Sequence, residues 1–113
     1  MSPLQLRIAG AGAAAILALS PLASKALVAP AAVVSQKDRL FAPADLAIAA
    51  GSVVRFTNDD PFLHQIFVSS PTFSLDTDGQ SPGQSVDVTF PTAGDFQVLC
   101  GIHPKMSLVV HLH

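Results

Sequence analysis

The chain has little of several residue types on which small proteins depend. Its 113 residues include one cysteine, no tryptophan and no tyrosine, and 12% of them are charged. A single cysteine cannot form an internal disulfide, so a domain of this size must be held together by its hydrophobic core or by a metal. The basic residues form no cluster, whereas nucleic-acid binding depends on neutralising phosphates with clustered cations. We therefore predict no nucleic-acid partner, and the single thiol needs an explanation of its own.

The first 31 residues differ in composition from the remainder. Arg7 is followed by a run of small and apolar residues that closes on the small-residue sequence ASKA at residues 23–26. This pattern predicts a secretory signal peptide over residues 1–31, cleaved after residue 26 or 31. The run is short and rich in Gly and Ala, whereas a membrane span needs about 20 apolar residues, so an uncleaved anchor is the lesser alternative.

Residues 32–113 are expected to form the exported domain, in the periplasm or an equivalent compartment. With four basic and eight acidic residues, this part of the chain has a net charge of −4. We predict a monomer without a stable membrane span after processing.

Alternating apolar and polar residues recur along this domain. In the segment SVVRFTN, Val54, Phe56 and Asn58 share one face, which is the two-residue period of a half-buried strand. The same period appears in HQIFV, SVDVTF, GDFQVLC and MSLVVHL, with AAVVSQ and LAIA as less regular strands upstream. Turn sequences such as NDDP, SSPT, DTDGQSPGQ and PTAGD separate the strands. No stretch of about a dozen residues keeps a helical period, so we predict a single all-β sandwich or barrel.

Four side chains with metal-binding chemistry are expected to meet at one end of this sandwich. Cys100 continues the inward series of its strand, and Met106 begins the inward series of the next. His103 lies in the five-residue loop GIHPK between them, and His64 begins an inward series of its own. Two imidazoles and a thiolate, with a weak axial thioether, are the donors of blue-copper electron-transfer sites. The pattern therefore predicts one type 1 copper ion and a carrier of single electrons.

The segments FTNDDPFLHQIFV and GDFQVLCGIHPKM resemble the small cupredoxins of the plastocyanin and amicyanin group, and the resemblance covers roughly residues 32–113. The Cys-x-x-His-x-x-Met spacing is closest to that of the amicyanin loop. This resemblance implies a cupredoxin-like Greek-key β-sandwich with His64, Cys100 and His103 as equatorial copper ligands. Met106 would then be the axial ligand.

The resemblance also implies roles for residues around the ligands. Asn58 stands where the strand before the first ligand commonly carries Asn. Gln65 stands where plastocyanin-like proteins often have an Asn that ties the ligand loops together. Redox partner proteins would dock on an apolar patch beside His103, through which electrons would pass. The candidates for this patch are Phe62, Leu63, Ile102 and Pro104.

Individual residues also have simpler explanations. Cys100 alone would be a buried apolar residue, and Met106 alone would be core filler. His64 could be a core histidine and His103 a surface residue. The seven-residue motif that joins Cys100, His103 and Met106 favours copper over these separate explanations.

The remaining candidates are expected to be structural. His111 and His113 are out of phase with the inward series, so they should face solvent, with incidental metal binding as the lesser alternative. Asp59 and Asp60 are interpreted as turn formers beside Pro61, with an acidic patch for a partner as the lesser alternative.

Three other functions use the same residues. Cys100 could be an enzyme nucleophile activated by His103 or His64, but no third group is evident to orient the base and Met106 would have no role. We therefore predict that the protein is not an enzyme. A periplasmic copper carrier or store without a redox role is the main alternative, although such proteins tend to be rich in Met or His. A zinc site formed by the same four residues is the third possibility, but zinc sites use Cys, His and carboxylate rather than thioether.

Overall fold

The computed structural model describes residues 29–113, in which nine strands form two sheets and no helix is present. The strands are β1 (Ala32–Lys37), β2 (Leu40–Ala42), β3 (Asp45–Ile48), β4 (Val53–Asn58), β5 (Phe67–Ser69), β6 (Ser74–Asp76), β7 (Ser85–Thr89), β8 (Gly94–Leu99) and β9 (Ser107–Leu112). The prediction of an all-β fold is confirmed. Up to residue 28, the predicted signal peptide lies outside the described residues. The described part of the chain contains no helix of the length and apolarity that crossing a membrane requires.

Each sheet combines parallel and antiparallel pairs. One sheet has the strand order β2-β1-β4-β7, and the other has the order β3-β9-β8-β5-β6. β1 runs parallel to β4, and β3 runs parallel to β9, with Asp45 opposite Val109. Parallel neighbours cannot be joined by a tight hairpin. Each sheet is therefore completed only when a later segment of the chain pairs with an early strand: β4 with β1 in one sheet, and β9 with β3 in the other.

The faces predicted to point inward form the core between the sheets. Its fully buried members include Phe56, Phe90 and Leu108, and Cys100 and Met106 belong to the same cluster. Burying a large apolar side chain contributes about 1.5–3 kcal/mol, so a core of this extent can hold the sheets together without a disulfide. The buried hydrophobic residues are Val34, Phe41, Val54, Phe56, Ile66, Val68, Val88, Phe90, Phe96, Val98, Cys100, Met106, Leu108, Val110 and Leu112.

Three short elements differ from the sequence prediction. The segment HQIFV becomes a strand only at Phe67, where β5 begins, and His64 is held instead by an isolated bridge to Gln80. The two backbone hydrogen bonds of this bridge are 3.1 and 2.7 Å long. β2 and β6 were not predicted, because strands of three residues are too short to show a period.

A tight turn connects β1 to β2. Its two residues, Asp38 and Arg39, have positive φ angles of 55° and 59°. Two positive φ values in a two-residue hairpin are characteristic of a type I′ turn. The carboxylate of Asp60 accepts hydrogen bonds from the backbone N–H groups of Asp38 and Arg39, at 2.7 and 3.1 Å. These bonds hold the turn against the segment that precedes His64.

Candidate metal centre

Three of the four predicted ligands come together. Cys100 Sγ lies 3.8 Å from Nδ1 of His64 and 3.8 Å from Nδ1 of His103. The two Nδ1 atoms are 3.2 Å apart. Atoms with these separations can all lie about 2.0–2.3 Å from one central ion, which are ordinary metal–nitrogen and metal–sulfur distances. The group can therefore hold one metal ion.

Different elements supply the three side chains. Cys100 follows β8 directly, His103 lies in the loop between β8 and β9, and His64 is fixed by its bridge to Gln80. His64 and Cys100 are buried, with 0% and 1% of their surfaces exposed, whereas His103 is half-buried. Of the three side chains, His103 is thus the one that connects the group to the surface.

Met106 lies directly before β9 and is 1% exposed. Its backbone N–H donates a hydrogen bond of 3.0 Å to the carbonyl of His103, which closes the turn of the loop. The structure thus places Met106 in the core beside the loop that carries two of the other candidates. Its role as the axial ligand stays a prediction.

Asp60 fixes the orientation of His64. One carboxylate oxygen of Asp60 lies 2.7 Å from Nε2 of His64, and both residues are buried. Burial raises the pKa of Asp60, but hydrogen bonds from His64 and from the backbone of Arg39 and Asp38 outweigh burial, so the pKa lies below its ordinary value. The ionised carboxylate accepts a hydrogen bond from Nε2–H, which leaves the lone pair on Nδ1 directed at the space between Cys100 Sγ and His103 Nδ1.

Sequence reasoning missed this role of Asp60, which it interpreted as a turn former. The aspartate is part of a turn, since its N–H donates to Asn58 Oδ1 at 3.0 Å. Its side chain, however, is only 2% exposed, so Asp60 contributes to no acidic surface patch. An acidic residue four positions before a candidate ligand was the signal that would have identified it.

Buried amides brace the segment that carries His64. Asn58 Nδ2 donates to the carbonyls of Phe62 and Gln80, at 2.8 and 2.9 Å. Gln80 in turn accepts a 2.7 Å hydrogen bond from Gln36 Nε2 and donates to the carbonyl of Phe56 at 3.0 Å. Within the described residues, Oε1 of Gln36 is buried without a hydrogen-bond partner. A movement of the segment would break these buried hydrogen bonds. Because an unmade hydrogen bond in the interior is costly, the network holds the segment in place.

Gln65 connects the segment that carries His64 to the segment that carries Cys100. Its Nε2 donates a 2.6 Å hydrogen bond to Asp76 Oδ1. Its Oε1 lies against Gly101, at a place that a Cβ on residue 101 would overlap. Gly101 follows Cys100 directly, so the side chain after one histidine ligand touches the residue after the cysteine.

Aromatic and cationic groups cover the two histidines. The ring of Phe62 lies 5.3 Å from that of His103 and 5.4 Å from that of His64, measured between centroids. The guanidinium carbon of Arg39 lies 4.4 Å from the centroid of Phe62. Burial lowers the pKa of His103, and the nearby positive charge of Arg39 lowers it further. A lowered pKa keeps the His103 imidazole neutral and able to bind a metal.

The expected apolar patch beside His103 is partly exposed. Leu63 and Ile102 are 48% and 44% exposed, Pro104 is exposed, and Phe62 is half-buried. Leu40 of β2, which is 60% exposed, was not among the candidates. It follows the type I′ turn, and a turn held by a distant carboxylate cannot be identified from local sequence.

The other two histidines lie outside this group. His111 is part of β9 and lies 2.8 Å from Asp95 and 3.2 Å from Asp45, measured between its ring nitrogens and their carboxylate oxygens. The hydrogen bond to Asp95 and, to a smaller extent, the hydrogen bond to Asp45 raise the pKa of His111. His113 is exposed, so the expectation that both histidines face solvent agrees with the structure.

Comparison with known proteins gives matches at the level of structure. No protein-family model and no curated protein matches the sequence. Amicyanin from Paracoccus versutus superimposes with a TM-score of 0.69 at 22% identity, over 77% of this chain and 85% of amicyanin. A purple cupredoxin from Nitrosopumilus maritimus gives a TM-score of 0.63 at 20% identity, over 73% of this chain and 99% of that protein.

A larger protein also matches. The Cu-containing nitrite reductase from Thermus scotoductus SA-01 gives a TM-score of 0.69 at 26% identity, over 86% of this chain. The chain spans about a quarter of the reductase, since the match covers 26% of it. All three similar structures are cupredoxins or contain a region of this fold. The chain therefore has the cupredoxin fold, and its group of His64, Cys100 and His103 fits the copper site of that fold.

Proposed function

We propose that the protein is a type 1 copper electron carrier that moves single electrons between redox partners in an exported compartment such as the periplasm. The observation that carries this proposal is the group formed by Cys100 Sγ and the Nδ1 atoms of His64 and His103. The cupredoxin fold of the chain supports the same function.

The donor set favours copper over zinc. Among the described residues, the group of potential metal ligands comprises two histidines and a cysteine, without a carboxylate. The nearby carboxylate of Asp60 is bound to the other nitrogen of His64. Met106, buried beside the loop, would add a thioether, which suits copper rather than zinc. When bound, copper supplies one-electron chemistry by alternating between its two oxidation states.

The protein's own residues would hold the ligands in place and exclude water. Asp60 and the bridge to Gln80 orient His64, and β8 and β9 fix the two ends of the loop that carries His103. Rigid ligands need little rearrangement when the charge of the site changes. His103, half-buried beside Leu63 and Ile102, would be the ligand through which electrons pass to a partner docked on the apolar patch. Encounters of this kind are small and transient.

The burial of Cys100 argues against a thiol enzyme. A nucleophilic sulfur must reach its substrate, but Cys100 is 1% exposed. The surface pocket beside the group is lined by His103 and not by Cys100. A substrate could approach the sulfur only if the loop moved.

The visible spectrum of the purified protein during titration with Cu(II) tests the proposal. We expect an intense blue band that saturates at one equivalent, because the thiolate of Cys100 transfers charge to Cu(II). The variant C100S should lose this band. The variant M106Q should keep copper and change the redox potential, since the axial ligand tunes it.

Two results would contradict the proposal. A colourless protein that binds Cu(I) tightly would indicate a copper carrier or store. Preferential retention of zinc over copper would indicate a structural metal site. Stopped-flow measurement of reversible one-electron exchange separates the electron carrier from both alternatives.

A further inference from the structure

The surface beside His103 combines apolar side chains with two positive charges. An open pocket of about 390 Å³ lies here, lined by Arg39, Leu40, His103, Pro104 and Lys105. Arg39 and Lys105 are both exposed, and so are the two apolar residues. The pocket is therefore an apolar surface with a cationic rim.

Positive charge is concentrated at this place although the domain is acidic overall. Residues 29–113 contain four basic and eight acidic residues, and two of the four basic residues line the pocket. Arg55 is paired with Asp87 at 2.8 Å on the outer face of its sheet. Asp38 precedes Arg39 but does not line the pocket, and the carboxylate of Asp60 is buried.

Arg39 is held in a defined position. Its N–H donates to Asp60, and its guanidinium carbon lies 4.4 Å from the centroid of Phe62. Arg39 has a φ of 59°, which Gly adopts at lower cost. The backbone geometry of the turn therefore does not explain why an arginine stands here. A cation fixed by its backbone and by an aromatic ring loses little conformational freedom when it binds an anion.

We propose that this pocket is the docking face for a redox protein whose electron-transfer site is surrounded by acidic side chains. The proposal rests on the proposed function, which supplies the redox partner. The partner's carboxylates would pair with Arg39 and Lys105, while its apolar surface covers Leu40 and Pro104 beside His103. Complementary charge of this kind accelerates encounter and selects the partner. A second copy of this chain would place the same cations against each other.

Electron exchange with charged inorganic complexes tests the sign of the charge at this face. In the first reaction, one electron leaves the reduced copper-loaded protein and reduces hexacyanoferrate(III) to hexacyanoferrate(II). The second uses tris(phenanthroline)cobalt(III), which is cationic and becomes cobalt(II). The rate constant for hexacyanoferrate should fall about tenfold as ionic strength rises from about 0.01 M to about 0.5 M, and that for the cobalt complex should rise. The net charge of the domain predicts the opposite for both, and that result would overturn the proposal.

Matched variants localise the effect. R39Q and K105Q should each lower the hexacyanoferrate rate constant at low salt about threefold, because each removes one cation from the rim. R55Q removes the same charge away from the pocket and should leave the rate constant within about a factor of 1.5. Equal effects in all three variants would show that overall charge governs the rate, which would contradict a docking face.

A second measurement does not depend on copper. Hexacyanochromate(III) is an inert paramagnetic anion that broadens the amide NMR signals of the residues near which it binds. In the metal-free protein we expect broadening concentrated at residues 38–40 and 103–105, and its loss in a variant that combines R39Q with K105Q. Uniform broadening would overturn the proposal. Broadening of the same signals without the probe, increasing with protein concentration, would identify a second copy as the occupant and also overturn it.

Together the measurements separate the two proposals. If the protein binds copper and gives the blue band but the anion does not map to the pocket, only the docking inference fails. If the anion maps to the pocket but the protein takes up no copper, the proposed function fails. In that case the proposal that the docked partner is a redox protein fails as well, although an anion-binding face remains.

Discussion

Asp60 connects the candidate metal site to the surface through a single carboxylate. One oxygen accepts from His64 Nε2, and the same group accepts from the backbone of Asp38 and Arg39. The residue therefore sets the direction of a ligand and the position of the turn that lines the pocket. Both roles depend on the carboxylate being ionised, which its lowered pKa ensures near neutral pH.

Replacing Asp60 by Asn should weaken copper binding about 10- to 100-fold, because the amide no longer provides an ionised acceptor for His64. The affinity can be measured by competition with a chelator of known copper affinity. D59N is the matched control, since Asp59 is exposed and accepts hydrogen bonds from Ser35 and Thr57 instead of the ligand. Equal losses in D59N and D60N would contradict a positioning role for Asp60.

Gly101 leaves room for the side chain of Gln65, which packs on it. In G101A the new Cβ would displace Gln65 and break its hydrogen bond to Asp76, at a cost of about 1 kcal/mol of unfolding free energy. Denaturant titration of G101A, Q65A and the double variant measures this coupling. We expect the double variant to be no less stable than Q65A, and strictly additive losses would disprove the contact.

The chemistry of the candidate ligands could be predicted because it is local. Cys100, His103 and Met106 lie within seven residues, and the two-residue period assigned Cys100 and Met106 to the core. The contacts that Asp60 and Arg39 make between the β1–β2 turn and the His64 segment could not be predicted, because they depend on the distance between a turn and a loop about 20 residues later in the chain. No local pattern contains that distance.

At the scale of elements, β9 is bound on both sides by charge. His111 of β9 bridges Asp45 of β3 and Asp95 of β8, its neighbours in the sheet. Because its folded-state pKa is raised, these contacts stabilise the protein fully below the ordinary histidine pKa of about 6.5. The stabilisation is lost as pH rises through the folded-state value.

We therefore expect H111Q to melt below the wild type near pH 6 and at nearly the same temperature near pH 9. High salt should reduce the difference, because the three side chains are exposed. H113Q, which changes a histidine outside these ion pairs, should show no comparable pH dependence. A difference that grows with pH would have the wrong sign for this interaction.

Most strands were predicted from period, but their partners were not. Alternation in SVVRFTN identifies the buried face of β4, because successive side chains of a strand point to opposite faces of the sheet. That β1 lies parallel to β4, and β3 to β9, follows from the packing of the complete core. Sequence alternation does not contain that information.

At the scale of the whole molecule, we expect the core to hold the fold together without the metal. The two sheets enclose a continuous set of buried hydrophobic residues, so the metal-free protein should stay folded and unfold cooperatively. Copper should then add about 4 kcal/mol to the unfolding free energy at a free concentration 1,000 times the dissociation constant. Urea titrations with and without copper measure both quantities. Loss of structure on adding a chelator would contradict a preformed site.

The parallel pairing of β3 with β9 also bears on how fast the chain folds. Asp45 meets Val109, and this closure must wait for segments far apart in the chain to find each other. Sheets built from such distant pairings fold in about milliseconds to seconds. During that interval the sulfur of Cys100 is still accessible, and these 113 residues contain no second cysteine with which it could form a disulfide. Closing the sandwich is therefore also what protects the thiol from oxidation.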